Sequence, residues 1–200
     1  MIRTKKELEF IKHVKLMCKI YGVKCSLRNT KSVKLIGESV RCSGWFDESV
    51  PELVVSMNRP DWIEILAHEY SHLTQWVEQT ELWKNSESGL RKLWGWLEGE
   101  NHRNMNKHIN VARDLELDNE KRTVEIIKRF GLKINTSNYI KRANSYIQFY
   151  NYIKISRKWS NPKNTPYNSK RLMNAMSPNF DMNYEILTPE IKKIFIEEKI

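Results

Sequence analysis

Residues 52–76 read ELVVSMNRPDWIEILAHEYSHLTQW. The opening ELVVSM is short and rich in β-branched residues, which predicts a strand, and the Asn-Arg-Pro-Asp sequence after it predicts a break. Asp61 is a favourable N-cap residue, and Glu64 three positions later completes a capping-box pattern. Apolar residues then recur at helical spacing, so the stretch predicts a strand followed by a helix over residues 62–80.

The flanking sequence predicts few strands and many helices. A helix is expected over residues 4–20, with Thr4 as its cap, and the β-branched segments VKCSL, SVKLIG and ELVVSM are expected to form a small antiparallel sheet. Further helices are predicted over residues 108–130 and 137–159, whereas residues 81–107 are expected to form a short helix and a loop. Because strands come first and helices follow, the predicted class is α+β, with the sheet packed on the helix of residues 62–80 and on the helices after it.

The domain organisation predicted from these segments is one domain over residues 1–160 and an extension over residues 161–200 that wraps the same domain. Proline and asparagine are frequent from Ser160 onward, which is typical of irregular chain on a surface. A final helix is predicted to begin at Pro189, because proline favours the first turn.

The composition permits several classes of protein and argues against others. The 200 residues carry a net charge of +10, which permits contact with nucleic acid, but the basic residues are scattered and no block of like charges appears. Three cysteines without a C-x-x-C motif suggest neither a disulfide framework nor a cysteine zinc site. No apolar window is long enough for a membrane span, and the charged N-terminus lacks the apolar core of a signal peptide, so a cytoplasmic location is expected.

The sequence His68-Glu69-Tyr70-Ser71-His72 is an H-E-x-x-H motif. Residues i and i+4 of a helix lie on one face about 6 Å apart, so His68 and His72 could bind one ion together. Neutral imidazole is a natural ligand of zinc, and a zinc ion lowers the pKa of a bound water to about 7. Glu69 is displaced from that face but is close enough to accept the proton of the water. The motif and its position inside a capped helix favour a metal site over two hydrogen-bonded surface histidines.

A catalytic zinc ion also needs a third protein ligand. Glu116, in the segment ARDLELDNE, is the favoured candidate because apolar neighbours flank it on a predicted helix. Glu120 follows on the same helical face and could accept the free N–H of a ligating histidine. Glu78 would be the third ligand in a metzincin arrangement, but Gln75 stands where that motif has the glycine that turns the chain. His102 and His108 are also open candidates.

The sequence resembles the gluzincin zinc peptidases through H-E-x-x-H on one helix and a glutamate on a following helix. ARDLELDNE resembles the R-x-x-E-x-x-x-D segment of the membrane-embedded relatives, with Glu120 in place of the aspartate. The block from ELVVSM to HLTQW is also similar to compact bacterial and phage peptidases of the ImmA/IrrE kind. The resemblance covers residues 45–130. It implies Zn²⁺ as cofactor, His68, His72 and Glu116 as its ligands, and Glu69 as the general base.

The resemblance further implies a site for an extended peptide and a donor to the developing oxyanion. ELVVSM would be the strand on which the peptide lies by β-addition. The oxyanion donor would be a tyrosine or a histidine, and the candidates are Tyr146, Tyr150, Tyr152 and His108. Trp94 and Trp96 could line a specificity pocket or simply pack in the core.

These observations predict a zinc-dependent metallopeptidase that acts on a protein or peptide. The alternative is a non-catalytic protein with a zincin fold, such as a virion component or a nucleic-acid-associated regulator, and the net charge is the feature that supports it. A phage-encoded chain could be associated with the virion. No membrane partner is expected.

Overall fold

The computed structural model describes residues 3–35, 41–161 and 163–200. In chain order the elements are α1 (Lys5–Ile20), β1 (Lys24–Arg28), β2 (Val33–Lys34), β3 (Arg41–Cys42), β4 (Gly44–Asp47), β5 (Glu52–Ser56), α2 (Trp62–Glu78), α3 (Glu81–Leu97), α4 (Met105–Phe130), α5 (Thr136–Ser156), a 3-10 turn (Pro166–Asn168), α6 (Lys170–Ala175) and α7 (Pro189–Glu197). The predicted α+β class is confirmed. No helix among these described residues is long and apolar enough to cross a membrane.

The chain divides into two compact units. The first consists of Met1–Thr80 and Arg122–Ile134, and the second of Glu81–Lys121 and Asn135–Ile200. The predicted division into residues 1–160 and 161–200 stays a prediction.

In the first unit, the expected helix α1 is confirmed together with its cap. Thr4 Oγ1 accepts a hydrogen bond from the Glu7 N–H at 3.2 Å, and the Glu7 carboxylate accepts one from the Thr4 N–H at 2.7 Å. This reciprocal pair satisfies two of the amide groups that a helix start leaves without partners.

The three-stranded sheet has the order β1-β5-β4 and is mixed. β4 pairs antiparallel with β5, but β1 pairs parallel with β5, so the prediction of an antiparallel sheet is wrong for that pair. Parallel strands need a long crossover connection, and the chain that contains β2, β3 and β4 supplies it. The segment SVKLIG forms β2 at Val33–Lys34, and its last two residues lie outside the described part of the chain.

β5 is the central strand, which overturns the expectation that ELVVSM offers an edge to a peptide. Leu53, Val54 and Val55 are all buried, and strands pair with both sides of β5. A central strand has no free row of backbone groups for an added strand, so β1 and β4 are the edges of this sheet.

Helix α2 begins as predicted, but its cap differs from the expected one. Asp61 occupies the N-cap position without making a side-chain cap hydrogen bond. Its two carboxylate oxygens accept instead from Arg59, at 2.9 Å from Nε and 2.8 Å from Nη2. The predicted capping box is therefore wrong, because the Arg59 guanidinium, two residues earlier in the chain, binds the carboxylate through two charge-assisted hydrogen bonds. α2 ends at Glu78, and Gln79 then takes a left-handed conformation with φ of 50°.

In the second unit, the bounds of the helices differ from the predicted ones. α3 covers all of Glu81–Leu97, where a short helix and a loop were expected, and α5 ends at Ser156 rather than at residue 159. The predicted helix at Pro189 is confirmed as α7. The core of this unit combines residues of α3, α4, α5, α6 and α7 with Met176, which follows α6; the helix residues are Leu93, Ile109, Ala112, Phe149, Tyr150, Ile153, Leu172, Ile191, Ile194 and Phe195.

The irregular chain before α7 is held by polar side chains of α5. Asn144 donates to the carbonyls of Ser177 and Asn179 at 2.9 and 3.0 Å, and Asn151 donates to the Tyr184 carbonyl at 2.7 Å. These side-chain amides supply the carbonyls with the hydrogen bonds that a helix or strand would otherwise have supplied.

Candidate metal centre

The two histidines of the H-E-x-x-H motif lie one turn apart on α2. Their ring centroids are 5.0 Å apart, and the two rings are nearly perpendicular, at 87°. The opposite side of the helix carries the buried residues Leu66, Ala67 and Leu73, which fix α2 in the first unit. The helix therefore holds both imidazoles in a rigid mutual arrangement before any ion binds.

His72 is held in the neutral form that a metal ligand requires. Burial lowers the pKa of His72 to about 3, and the neighbouring His68 acts in the same direction. His72 Nδ1 lies 2.9 Å from Gln75 Oε1, and donation from Nδ1–H to that oxygen assigns the free lone pair to Nε2. Gln75 thus orients a candidate ligand, which is a function typical of the groups that surround metal sites. From the sequence, Gln75 had been considered only because it stands where the metzincin motif has a glycine.

Glu69, the predicted general base, is 8% exposed and lies where β4 approaches α2. A methyl group added at Gly44 of β4 would lie 3.2 Å from Glu69 Cγ and only 2.8 Å from Ile65 Cγ2. The absence of a side chain at Gly44 thus allows the strand to approach the helix at the turn that carries Glu69. Gly44 was not predicted to position Glu69, although an isolated glycine within a strand is a known sign of close approach.

His68, His72 and Glu116 form a group of three potential metal ligands. One ligand atom from each residue can be chosen so that all three lie within 4.8 Å of one another. Ligands of a tetrahedral zinc ion are about 3.4 Å apart, from bond lengths near 2.1 Å, so the limit of 4.8 Å is compatible with a group that could hold such an ion. Two neutral imidazoles and one carboxylate are a donor set that suits zinc.

The other candidates for the third ligand have different surroundings. Glu78 is exposed and forms an ion pair with Arg122 at 2.7 Å, and His102 bonds to Glu100 at 2.7 Å. Among the described residues, neither these two nor His108 belongs to a group of three potential ligands. The segment ARDLELDNE therefore contains the carboxylate that meets the motif.

Glu120, one turn after Glu116, is buried and accepts a hydrogen bond from the Tyr139 hydroxyl of α5. This bond joins α4 to α5 within the second unit. Its predicted hydrogen bond to a ligating histidine stays a prediction, and Tyr139 is a partner that the sequence analysis did not identify.

Tyr146 and Tyr150 point their hydroxyl oxygens to within 3.1 Å of each other. Burial raises the pKa of both phenols well above the usual range, and the charge of Glu116 acts in the same direction on each. Both hydroxyls therefore keep their protons at neutral pH and can donate hydrogen bonds. Trp96, by contrast, packs against the core of the second unit, and the Arg157 guanidinium lies 5.0 Å above its ring.

Comparisons with family models, curated proteins and solved structures found no match to this chain. The function is therefore inferred from the chemistry of the site. That chemistry consists of two imidazoles and a carboxylate that could hold a cation, with the buried carboxylate of Glu69 beside them.

Proposed function

We propose that this chain is a zinc-dependent metallopeptidase of the gluzincin type that hydrolyses peptide bonds in a protein or peptide substrate. The observation that carries the proposal is the grouping of ligand atoms from His68, His72 and Glu116 within 4.8 Å, with Glu69 adjacent to the first histidine. In this proposal those three residues hold the zinc ion.

A bound zinc ion would supply a Lewis acid that polarises the scissile carbonyl and makes water a better nucleophile at neutral pH. The Glu69 carboxylate would accept the proton of the attacking water and return it to the leaving amine. The protonated hydroxyls of Tyr146 and Tyr150 are the candidate donors to the negative charge that develops on the carbonyl oxygen.

The edge strand β4 is the best candidate to bind the substrate backbone. It pairs with β5 alone among the described strands, and its Gly44 lies against Glu69. A peptide added along this edge would form main-chain hydrogen bonds and pass close to the general base.

Metal binding is tested by measuring zinc content after dialysis. The wild type is expected to retain about one equivalent, and His72→Ala and Glu116→Ala should lose it because catalytic zinc sites need three protein ligands. Glu78→Ala is the matched control, since Glu78 is an exposed carboxylate paired with Arg122. If Glu78→Ala loses zinc while Glu116→Ala retains it, the assignment of the third ligand is wrong.

Catalysis is tested with casein or a peptide mixture as substrate. Glu69→Gln should retain zinc and lose at least about 100-fold in turnover, because the amide cannot accept the proton. Glu64→Gln makes the same change earlier on α2 and should remain active. Equal turnover by Glu69→Gln and the wild type would exclude the proposed mechanism.

The net charge of +10 favours one alternative, a non-catalytic protein of this fold that binds nucleic acid. Salt-dependent DNA binding by a protein that retains zinc but cleaves no peptide would support that alternative. The proposal includes a cytoplasmic location, or association with the virion if a phage encodes the chain.

A further inference from the structure

The side of α1 that points to solvent combines lysines with large aliphatic residues. These positions recur at intervals of three or four residues, so they form one stripe along the helix. The opposite side of α1 is buried in the first unit. The exposed stripe is called here the outer face, and its residues are Lys5, Leu8, Lys12, Lys15, Leu16, Lys19 and Ile20.

The four lysines of the outer face give it a net positive charge. α1 contains two acidic residues, and both have partners: Glu9, exposed beside the outer face, pairs with Lys6 at 3.2 Å, and Glu7 belongs to the helix cap. Beyond the helix, Lys24 and Glu52 form a separate ion pair at 3.0 Å. Within the described parts of the chain, no carboxylate forms an ion pair with a lysine of the outer face.

The end of α4 adds positive charge beside α1 in the same unit. The ring of Phe130, the last residue of α4, has its centroid 4.9 Å from those of Phe10 and His13 of α1. The nearest acidic residue of α4 is Glu125, more than one turn before Phe130. The exposed basic residues around the end of α4 are Lys128, Arg129 and Lys133.

The aliphatic residues of the outer face are strongly exposed. Leu8, Leu16 and Ile20 are 43%, 55% and 60% exposed, and the last two lie one helical turn apart. Single exposed apolar residues are common on protein surfaces. Here, however, they share one helical stripe with four lysines, and a lysine-rich helix surface that also exposes leucine is typical of helices that lie on lipid surfaces.

We propose that the outer face of α1 docks this chain on a membrane surface that contains anionic phospholipids. α1 then lies parallel to the membrane, with its lysines at the anionic headgroups and its aliphatic side chains at the boundary with the acyl chains. The expectation of no membrane partner was based on the absence of a spanning segment, which a peripheral contact does not need. The inference goes beyond the proposed function, because α1 carries none of the candidate metal ligands.

The composition of the outer face favours a lipid surface over a protein or a nucleic acid. The centres of protein interfaces are depleted of lysine and enriched in arginine and aromatic residues. The outer face has four lysines and neither arginine nor an aromatic ring. Contacts to nucleic acid phosphates use basic and polar side chains, so they would leave Leu8, Leu16 and Ile20 exposed to water.

The test is cosedimentation of the full chain with vesicles of phosphatidylcholine, alone or with about 30% phosphatidylserine. We expect partitioning onto the phosphatidylserine vesicles to be at least about tenfold stronger and to weaken as salt is raised. Lys12→Gln combined with Lys19→Gln should weaken it about 25-fold, because each lysine near an anionic membrane contributes about fivefold. Leu16→Ala should weaken it at least about threefold, since buried apolar area also contributes.

Two control variants match these changes in the second unit. Lys163→Gln combined with Lys170→Gln changes the net charge equally at two exposed lysines. Ile186→Ala shortens an aliphatic side chain that is 56% exposed, which matches Leu16. Both controls should bind vesicles as the wild type does. Circular dichroism checks that every variant is folded, as expected for changes at exposed positions.

The outcomes distinguish the outer face from the charge of the whole chain. Equal partitioning of the wild type onto both kinds of vesicle would overturn the inference, and so would equal weakening by the two lysine pairs. Binding that Leu16→Ala leaves unchanged would show that no aliphatic side chain enters the lipid, which also contradicts the proposed docking. Binding of a DNA duplex that depends on Lys12 and Lys19, without a preference for phosphatidylserine, would assign the face to nucleic acid instead.

Vesicle binding and peptide cleavage can fail independently. Glu69→Gln should bind vesicles as the wild type does, because Glu69 is buried on α2 and is not part of the outer face. Loss of peptide turnover in that variant, with vesicle binding retained, would support both proposals. Vesicle binding that is absent from an active wild-type peptidase would overturn only the docking surface.

Discussion

Substitution of Gly44 by alanine tests the packing that positions Glu69. The added methyl carbon would lie 2.8 Å from both Ile65 Cγ2 and the Val54 carbonyl oxygen, which is 0.6 Å short of the 3.4 Å at which ordinary contact begins. The carbonyl belongs to the central strand β5 and cannot rotate away. Relief of that contact requires β4 to shift relative to β5, and relief of the contact with Ile65 requires that side chain or α2 to move from β4 by about 0.6 Å, which would displace Glu69 with the helix.

The cost of Gly44→Ala can be worked out from these contacts. Overpacking of this size costs about 1–3 kcal/mol, and the lower entropy of an unfolded alanine offsets about 0.4–1 kcal/mol of it. The net destabilisation is about 1–2 kcal/mol, or a fall in Tm of about 2–8 °C for a chain of this length. If Glu69 is the general base, as proposed, its displacement by a substantial fraction of an ångström should also lower kcat/KM about tenfold or more.

The assays are thermal unfolding by circular dichroism and peptide turnover at saturating zinc. Gly22→Ala is the control, because Gly22 has φ of 70° and no atom within 4 Å of the added carbon. It should lower Tm through backbone strain of about 1–2 kcal/mol while leaving turnover unchanged. A Gly44→Ala protein that melts within 1 °C of the wild type and turns over at the wild-type rate would refute the close-packing account.

Three further predictions concern other contacts. In zinc-free protein, the pKa of His72 is lowered from 6.5 to about 3, so between these pH values the unfolded chain binds a proton that the folded chain does not. The free energy of unfolding should therefore be highest above pH 6.5 and decrease as the pH falls towards 3. In His72→Gln, denaturation curves should show a smaller decrease over the same pH range. Tyr139→Phe removes the hydroxyl that donates to Glu120 and should destabilise the chain by about 1–3 kcal/mol in urea unfolding, whereas no loss would show that the bond is dispensable. Asn144→Ala removes the donor to the Ser177 and Asn179 carbonyls and should speed hydrogen exchange and proteolysis around residues 177–179 first; protection equal to that of the wild type would contradict this.

The sequence predicted the helices well where periodicity and capping agree. α1, with the Thr4 cap, and α7, beginning at Pro189, form where local rules place them. Asp61 shows the limit of such rules. Its carboxylate accepts two hydrogen bonds from the Arg59 guanidinium, and N-cap preferences take no account of such an ion pair. The length of α3 was underestimated because its sequence contains residues of low helix propensity, such as Ser86 and Gly89.

The pairing and direction of the strands could not be predicted from local sequence patterns. The sequence identified β1 and β5 as strands, but a strand pattern does not specify which neighbour pairs with it or in which direction. The parallel pairing of β1 with β5 and the edge position of β4 depend on how the chain crosses over. The expectation that ELVVSM offers an edge to a peptide was therefore wrong, because that segment forms the central strand.

The sequence alone determined the mutual placement of His68, Glu69 and His72, because a helix fixes the directions of residues one and four positions apart. It did not determine which acidic side chain meets the histidines, since Glu78 and Glu116 both satisfied local spacing. Tertiary structure decided that Glu116 joins the group and that Gly44 packs against Glu69. The physical reason is that side chains distant in sequence meet only after the backbone has chosen its strand order and helix packing.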